Sequence, residues 1–210
     1  MYVMTHTRPD ICFSVGFLAR FMQNPNEQLL KAVKGVFKYL KGTINYSIVY
    51  NGSEKPILLG YSDSDYGGDY ETRKSTYGYL FTLNTGPISW KSKRQSTIAL
   101  STTEAEFNGL EQATRESIWL KNLLNEIGVQ IRTVPLLGDN TSAINLAYNP
   151  EYHQRTKHTA IRYYFVREQV ENENISVKYI STNEMPADGL TKPLPKEKHN
   201  KFLNLLSLDL

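Results

Sequence analysis

Four acids in the sequence sit in apolar company, and their types and spacing suggest metal chemistry. Asp63 ends the run Ile57-Leu58-Leu59-Gly60-Tyr61-Ser62-Asp63. Side chains alternate along a strand, so Asp63 shares a face with Ile57, Leu59 and Tyr61. A carboxylate that extends a buried stripe is costly unless something pairs with it. The competing reading is a surface turn from Ser62 to Asp69; Asp65 has the same parity as Asp63, and Asp69 reads as a plain loop acid. Glu106 falls on a stripe with Leu110, Ala113, Ser117, Leu120 and Leu124 at helical spacing, or is simply a helix-start acid favoured by the macrodipole. Asp139 follows Val134-Pro135-Leu136-Leu137-Gly138 and precedes a helix. That suits an N-cap, and equally the end of a buried strand, where α/β proteins place chemistry. Asp188, in Pro186-Ala187-Asp188-Gly189-Leu190, falls in a first helical turn, where the dipole alone would explain it. If the four converge they repel, and divalent cations would relieve the repulsion. Oxygen ligands of this hardness suit Mg²⁺, with Mn²⁺ able to take the same ligands. Two ions roughly 4 Å apart are a device for in-line attack on a phosphodiester.

The elements that must position these acids follow from periodicity and punctuation. Asp10 can cap a helix carrying Ile11, Val15, Leu18 and Phe21. Asn24-Pro25-Asn26 breaks it. A second helix carries Leu30, Val33, Val36/Phe37 and Leu40 and stops at Gly42. Tyr46 to Tyr50 reads as a short strand before the turn Asn51-Gly52, and a boundary falls near residue 53. Two helices and one short strand are too little to fold alone, so this segment leans on something else. Strands are expected at Ile57–Asp65, Ser75–Leu83 and Ile88–Lys91, with Ile98-Ala99-Leu100 as a continuation. Ser101–Ile127 is a long helix with the capping box Ser101-x-x-Glu104 and Gly128 beyond its end. A strand at Val134–Leu137, helices at Asn140–Ala147 and Thr159–Glu173, a strand at Ile175–Ile180 and a short helix near Pro186 complete the chain. This order predicts an α/β fold, a mixed five-stranded sheet with helices packed on it.

Composition narrows the function classes. Hydrophobic residues are 40% and charged residues 21% of the 210, enough to bury a core. No stretch approaches the ~20 apolar residues that span a bilayer. A single cysteine, Cys12, excludes an internal disulfide and any Cys-rich zinc site, and a reducing, intracellular compartment is the default. The net charge of +3 does not argue for nucleic acid by itself, although residues 1–53 carry six Lys/Arg against Asp10 and Glu27. Lys91, Lys93 and Arg94 form a basic run without acids. It reads as a solvated hairpin or, beside a site, as a phosphate-contacting edge. Trp90 reads as a sheet core residue. His6, His153, His158 and His199 read as structural rather than as ligands.

Longer strings carry a resemblance. Thr7-Arg8-Pro9-Asp10-Ile11, Phe21-Met22-Gln23-Asn24-Pro25 and Tyr39-Leu40-Lys41-Gly42-Thr43 resemble the end of a copia-type retrotransposon reverse transcriptase. Tyr61-Ser62-Asp63-Ser64-Asp65, Arg73-Lys74-Ser75-Thr76-Tyr77-Gly78-Tyr79, Ile88 to Gln95 and Ala99 to Glu106 resemble its RNase H domain. So do Asp139-Asn140, Arg155-Thr156-Lys157-His158 and Ala187 to Leu194. The resemblance implies an RNase H-like fold over 54–195, a helical reverse-transcriptase remnant over 1–53 and a helical tail over 196–210. It implies a four-acid site of Asp63, Glu106, Asp139 and Asp188 holding two Mg²⁺ ions and cutting the RNA strand of an RNA–DNA hybrid. Asp63 and Asp188 would hold the ion that activates water, and Glu106 and Asp139 the ion near the leaving 3′ oxygen. Ser64, Arg73, Lys74, Lys91, Lys93 and Arg94 would contact the hybrid. The missing polymerase portion of the polyprotein would be a partner, no membrane would be involved, and the compartment would be cytoplasmic by analogy. A catalytically silent relic is the alternative. The sequence departs from the family at Ala160, at Tyr164, at Tyr66-Gly67 and at Asn108-Gly109. Gly109 would cost a helix interior roughly 1 kcal/mol against alanine.

Overall fold

A computed structural model describes the chain except for residues 51, 53–54, 150–156 and 210. The boundary expected at 53, the turn residue Asn51, His153 and the Arg155-Thr156 string lie outside the described residues. The first segment holds α1 (Tyr2–His6), a 3-10 turn (Pro9–Ile11), α2 (Cys12–Ala19), α3 (Glu27–Gly42) and the short strand β1 (Ser47–Ile48). Then come β2 (Leu58–Ser64), β3 (Thr76–Leu83), β4 (Gly86–Arg94), α4 (Thr102–Glu126), β5 (Val134–Gly138), α5 (Thr141–Tyr148), α6 (Lys157–Glu171) and β6 (Ile175–Tyr179). The chain closes with 3-10 turns at Thr182–Glu184 and Pro186–Leu190, then α7 (Lys196–Leu205) and β7 (Leu208–Asp209).

The main sheet runs β4-β3-β2-β5-β6. β2, β3 and β4 pair antiparallel, and β5 and β6 join in parallel. This mixed five-stranded sheet with flanking helices is the architecture that the order of elements in the sequence predicts. β7 pairs with β1 in a separate two-stranded sheet, which ties the tail back to the first segment.

Strand alternation divides the apolar residues between two cores. Tyr77, Tyr79 and Phe81 of β3 face one side, where they pack with Phe107, Leu110 and Leu120 of α4 and with Val134 and Leu136 of β5. Leu80 points to the other side, among Met4, Ile11, Cys12, Leu190, Phe202, Leu203, Leu206 and Leu208. The second core therefore joins the first segment, the sheet and the tail. This supplies the support that the N-terminal helices were expected to need.

Several local expectations differ from the fold. Asp10 caps no helix. It is buried in the 3-10 turn, where Arg8 donates to it from Nε at 2.9 Å and from Nη2 at 2.7 Å, and Tyr39 from its hydroxyl at 2.6 Å. The pairing answers a need that a cap would not, because Arg8 is itself buried and a buried charge without its partner is costly. Asn26 caps α3, but the face it turns inward carries Val33, Val36, Tyr39 and Leu40, while Leu30 and Phe37 are exposed. Residues 98–100 form a loop rather than more strand. Its Leu100 amide donates to Glu104 at 2.9 Å while Ser101 accepts from the Glu104 amide at 3.1 Å. That exchange fixes the start of α4.

Candidate active site

β2 and β5 lie side by side and parallel, with Gly60 opposite Leu136 and Tyr61 opposite Leu137, so their C-terminal ends emerge together. Asp63 stands at one end and Asp139 just past the other. α4 crosses β2 and brings Glu106 to the same place. One carboxylate oxygen from each of Asp63, Glu106 and Asp139 lies within 4.8 Å of the others. Asp63 is 3% exposed, and the other two are half-buried. The surface-turn reading of Asp63 is thereby excluded, and the N-cap reading of Asp139 falls as well. Asn140 caps α5 instead, its side chain accepting from the Ala143 amide at 3.0 Å. Asp65 accepts from the Thr76 amide at 2.7 Å and serves the β2–β3 connection.

Two glycines permit this approach. A Cβ on Gly109 of α4 would meet Ser64 Oγ at 2.5 Å and both the Asp63 carbonyl and Ser62 Oγ at 3.3 Å. The helix can lie against β2, and bring Glu106 to Asp63, because position 109 has no side chain. The glycine that looked like a weakness in the helix is a condition for the site. Gly78 does the same on the opposite face. It pairs with Asp63 across the β2–β3 ladder, and its Cβ would meet Leu190 Cβ at 2.6 Å. The turn bearing Asp188 can therefore press onto the sheet beside Asp63.

Asp188 is 5% exposed and sits in a 3-10 turn, not in the first turn of an α-helix as expected. It stays outside the trio at the spacing given above, and its Oδ1 forms an ion pair with Lys192 Nζ at 2.7 Å. Threonines orient two of the acids: Thr191 donates from its hydroxyl to Asp63 Oδ2, and Thr182 donates to Asp139 Oδ2 at 2.7 Å. Burial pushes the Asp63 carboxyl up; the Thr191 hydrogen bond opposes this and the Asp188 charge adds to it. Burial also raises Glu106, with the charges of Asp63 and Asp139 behind it. For Lys192, burial alone would favour the neutral amine, but Asp188, Asp63 and Asp139 outweigh it and hold the ammonium charged. Thr182, Thr191 and Lys192 were not identified as site residues from sequence. Only the four-residue step from Asp188 to Lys192 could have hinted at one of them.

The expected nucleic-acid contacts are scattered. Ser64 is buried at 8% exposure, its hydroxyl against Gly109 and without a hydrogen-bond partner among the described residues, so it offers nothing to a phosphate. Its position in the strand, with alternate residues facing α4, is the reason. Arg73 is exposed and Lys74 half-buried in the β2–β3 loop. The basic run of β4 divides between faces: Lys91 and Lys93 pair with Tyr79 and Tyr77 and point to the α4 side, while Arg94 pairs with Thr76. Arg94 Nη1 donates to Asp69 Oδ2 at 2.7 Å, and Arg20 Nη1 donates to the same oxygen at 3.2 Å. Asp69 is therefore a tie between elements rather than a plain loop acid. Trp90 donates from Nε1 to the Met4 carbonyl at 2.7 Å and packs against the second core. Asn108 does not loosen α4: its side chain donates to Gln95 Oε1 at 3.1 Å and accepts from Arg162 Nη1 at 2.7 Å.

No family model matches the chain. Over 208 residues, 99% of its length, it is 48% identical to the retrovirus-related Pol polyprotein from transposon TNT 1-94 of Nicotiana tabacum, of which it covers 16%. Over 206 residues, 98% of its length, it is 38% identical to the retrovirus-related Pol polyprotein from transposon RE1 of Arabidopsis thaliana, of which it covers 14%. The chain thus spans about one sixth of the length of these two relatives. Among solved structures, the N-terminal RNase H domain of rv2228c from Mycobacterium tuberculosis aligns with a TM-score of 0.48 at 11% identity, covering 73% of this chain and 97% of that one.

Proposed function

We propose, for a chain that belongs to the Pol polyproteins of copia/Ty1-type retrotransposons, that it is a metal-dependent endoribonuclease cutting the RNA strand of RNA–DNA hybrids. One observation carries the reading. Asp63, Glu106 and Asp139, far apart in the chain, meet with carboxylate oxygens within 4.8 Å of one another. An all-oxygen donor set of this kind fits a hard divalent ion such as Mg²⁺ or Mn²⁺.

Asp63 and Asp188 would hold the ion on the water side, and Glu106 with Asp139 the ion on the side of the leaving 3′ oxygen. When bound, the ions supply an activated water and screen the phosphodiester charge. The protein's own contribution is orientation. Thr191 holds Asp63 and Thr182 holds Asp139 before any cation arrives, which is the outer support that ligand carboxylates need. Cleavage would leave a 5′-phosphate and a 3′-hydroxyl. Arg73, Lys74, Lys91, Lys93 and Arg94 remain our candidates for phosphate contacts, and Ser64 is withdrawn. We assign residues 1–53 to the end of the reverse transcriptase, 54–195 to the nuclease and 196–210 to a tail. The polymerase portion of the polyprotein would be a partner, and replication in the cytoplasm follows by analogy. Among the described residues, no helix is long and apolar enough to cross a membrane.

The test is cleavage of a labelled hybrid with Mg²⁺ by the wild type, Asp63→Asn and Glu106→Gln. The wild type should cut, and each variant should lose more than about a hundredfold, the scale of a few kcal/mol of lost charge stabilisation. Background product from all three would favour the catalytically silent relic.

A further inference from the structure

The four acids are not equivalent in this structure. Three meet as a trio, while Asp188 is engaged with a lysine whose ammonium lies 2.7 Å from its Oδ1. We propose that Lys192 is a tethered counter-ion that occupies the Asp188 arm of the acid cluster and must swing out before a second divalent cation can bind there. The inference rests on the two-ion reading of the site and goes beyond it, because it predicts unequal ions: one taken up by the trio without hindrance, the other in competition with the protein's own cation.

The backbone around Lys192 is pinned, which makes the exchange a side-chain event. The Thr191 and Lys192 amides both donate to the Asp188 carbonyl, at 3.2 and 3.3 Å. The Thr191 hydroxyl donates to the same carbonyl at 3.1 Å as well as to Asp63, and Thr191 is fully buried. Pro193 follows and restricts the conformation of Lys192 further. The lysine side chain, in contrast, is 44% exposed while that of Asp188 is 7% exposed. The ammonium therefore has a route to water that the carboxylate lacks. Without a cation, four acids in one place need a positive charge, and a lysine four residues after Asp188 provides it. With a divalent ion present, a charge of two displaces a charge of one from the same oxygen.

The experiment is calorimetric titration of Mn²⁺ into the full chain, comparing wild type, Lys192→Met and Lys192→Arg, with thermal melting of each in EDTA. Lys192→Met should bind the weaker ion about tenfold more tightly or better, on the scale of one removed neighbouring charge, and should melt at a lower temperature than wild type in EDTA. Lys192→Arg should stay near wild type in both readouts. Equal Mn²⁺ binding by wild type and Lys192→Met would overturn the counter-ion role and leave the nuclease reading standing. Absence of saturable binding in both proteins would overturn the two together. As a check that needs no variant, a Mn²⁺-loaded wild-type crystal should show Lys192 Nζ away from Asp188. An ion bound to Asp188 with that pair intact would refute the proposal.

Discussion

An alanine at position 109 would suit an isolated α-helix better than the glycine found there, by roughly 1 kcal/mol. In this molecule the added Cβ would stand 2.5 Å from Ser64 Oγ and 3.3 Å from the Asp63 carbonyl, so either the serine turns away or the helix withdraws from β2. Overpacking of this kind costs about 1–3 kcal/mol and should outweigh the gain in propensity. Gly109→Ala should therefore lower the urea midpoint. The loss should be smaller in a Ser64→Ala background, with a coupling of at least about 0.5 kcal/mol. The same variant should weaken divalent binding, because Glu106 rides on the displaced turn. A Gly109→Ala protein as stable as wild type, with unchanged Mn²⁺ affinity, would mean that the contact with β2 is looser than these distances say.

Between elements, Asp69 joins the end of α2 through Arg20 to the end of β4 through Arg94, and it also accepts from the Thr72 amide at 2.9 Å and hydroxyl at 2.8 Å. Burial would raise its carboxyl, but the Thr72 amide, Arg94 and the Thr72 hydroxyl prevail and hold it below the ordinary carboxylate range. The folded value lies below the unfolded one, so as pH falls the unfolded chain takes up the proton first. The stabilisation is then full above the ordinary Asp value of about 4 and fades as pH drops toward the folded value. Asp69→Asn should cost about 1–3 kcal/mol at pH 7, the scale of hydrogen bonds to a charged group. The gap from wild type in urea unfolding should narrow at pH 3; an equal gap at both pH values would contradict the assignment. This tie also shows what sequence can and cannot carry. The helix that delivers Glu106 was legible from its buried stripe of Leu110, Ala113, Ser117, Leu120 and Leu124, and Asp139 from its place after an apolar strand. The stripe read for Asp63, in contrast, is not the buried face, since Ile57 is exposed and Leu58, Gly60 and Ser62 are the buried positions. Asp69 and Thr182 were not legible, since their partners are set by packing and by polar contacts that leave no periodic trace. The inner face of α2 was read in part, since Ile11 and Val15 of the expected face do pack in the second core. Cys-Phe-Ser-Val-Gly-Phe-Leu-Ala is apolar on nearly every side, which is why buried Cys12 went unread beside them.

On the scale of the whole molecule, the second core decides whether the N-terminal segment is an appendage or part of the nuclease. Leu80 is fully buried from the middle of the sheet and packs among residues of the first segment, the Asp188-bearing turn and the tail. Leu190 of that turn lies in the same cluster, two residues from Asp188. The trio of Asp63, Glu106 and Asp139 is instead set by β2, β5 and α4, on which the first core rests. Loosening the second core should therefore disturb the Asp188 arm of the site more than the trio. Leu80→Ala should cost about 2–5 kcal/mol, as for a buried leucine that leaves a cavity. Wild type and variant should each melt in one calorimetric transition, because the described residues of the first segment are buried only in the core they share with the sheet and the tail. In Mn²⁺ titrations the variant should lose more affinity for the weaker ion than for the tighter one, since Asp188 itself stands on the loosened turn while the trio is tied to that turn only through the Thr191 hydrogen bond to Asp63. Two separate melting transitions in the wild type would make residues 1–53 an independent unit. Equal weakening of both ions would show that the two faces of the sheet do not divide the site between them.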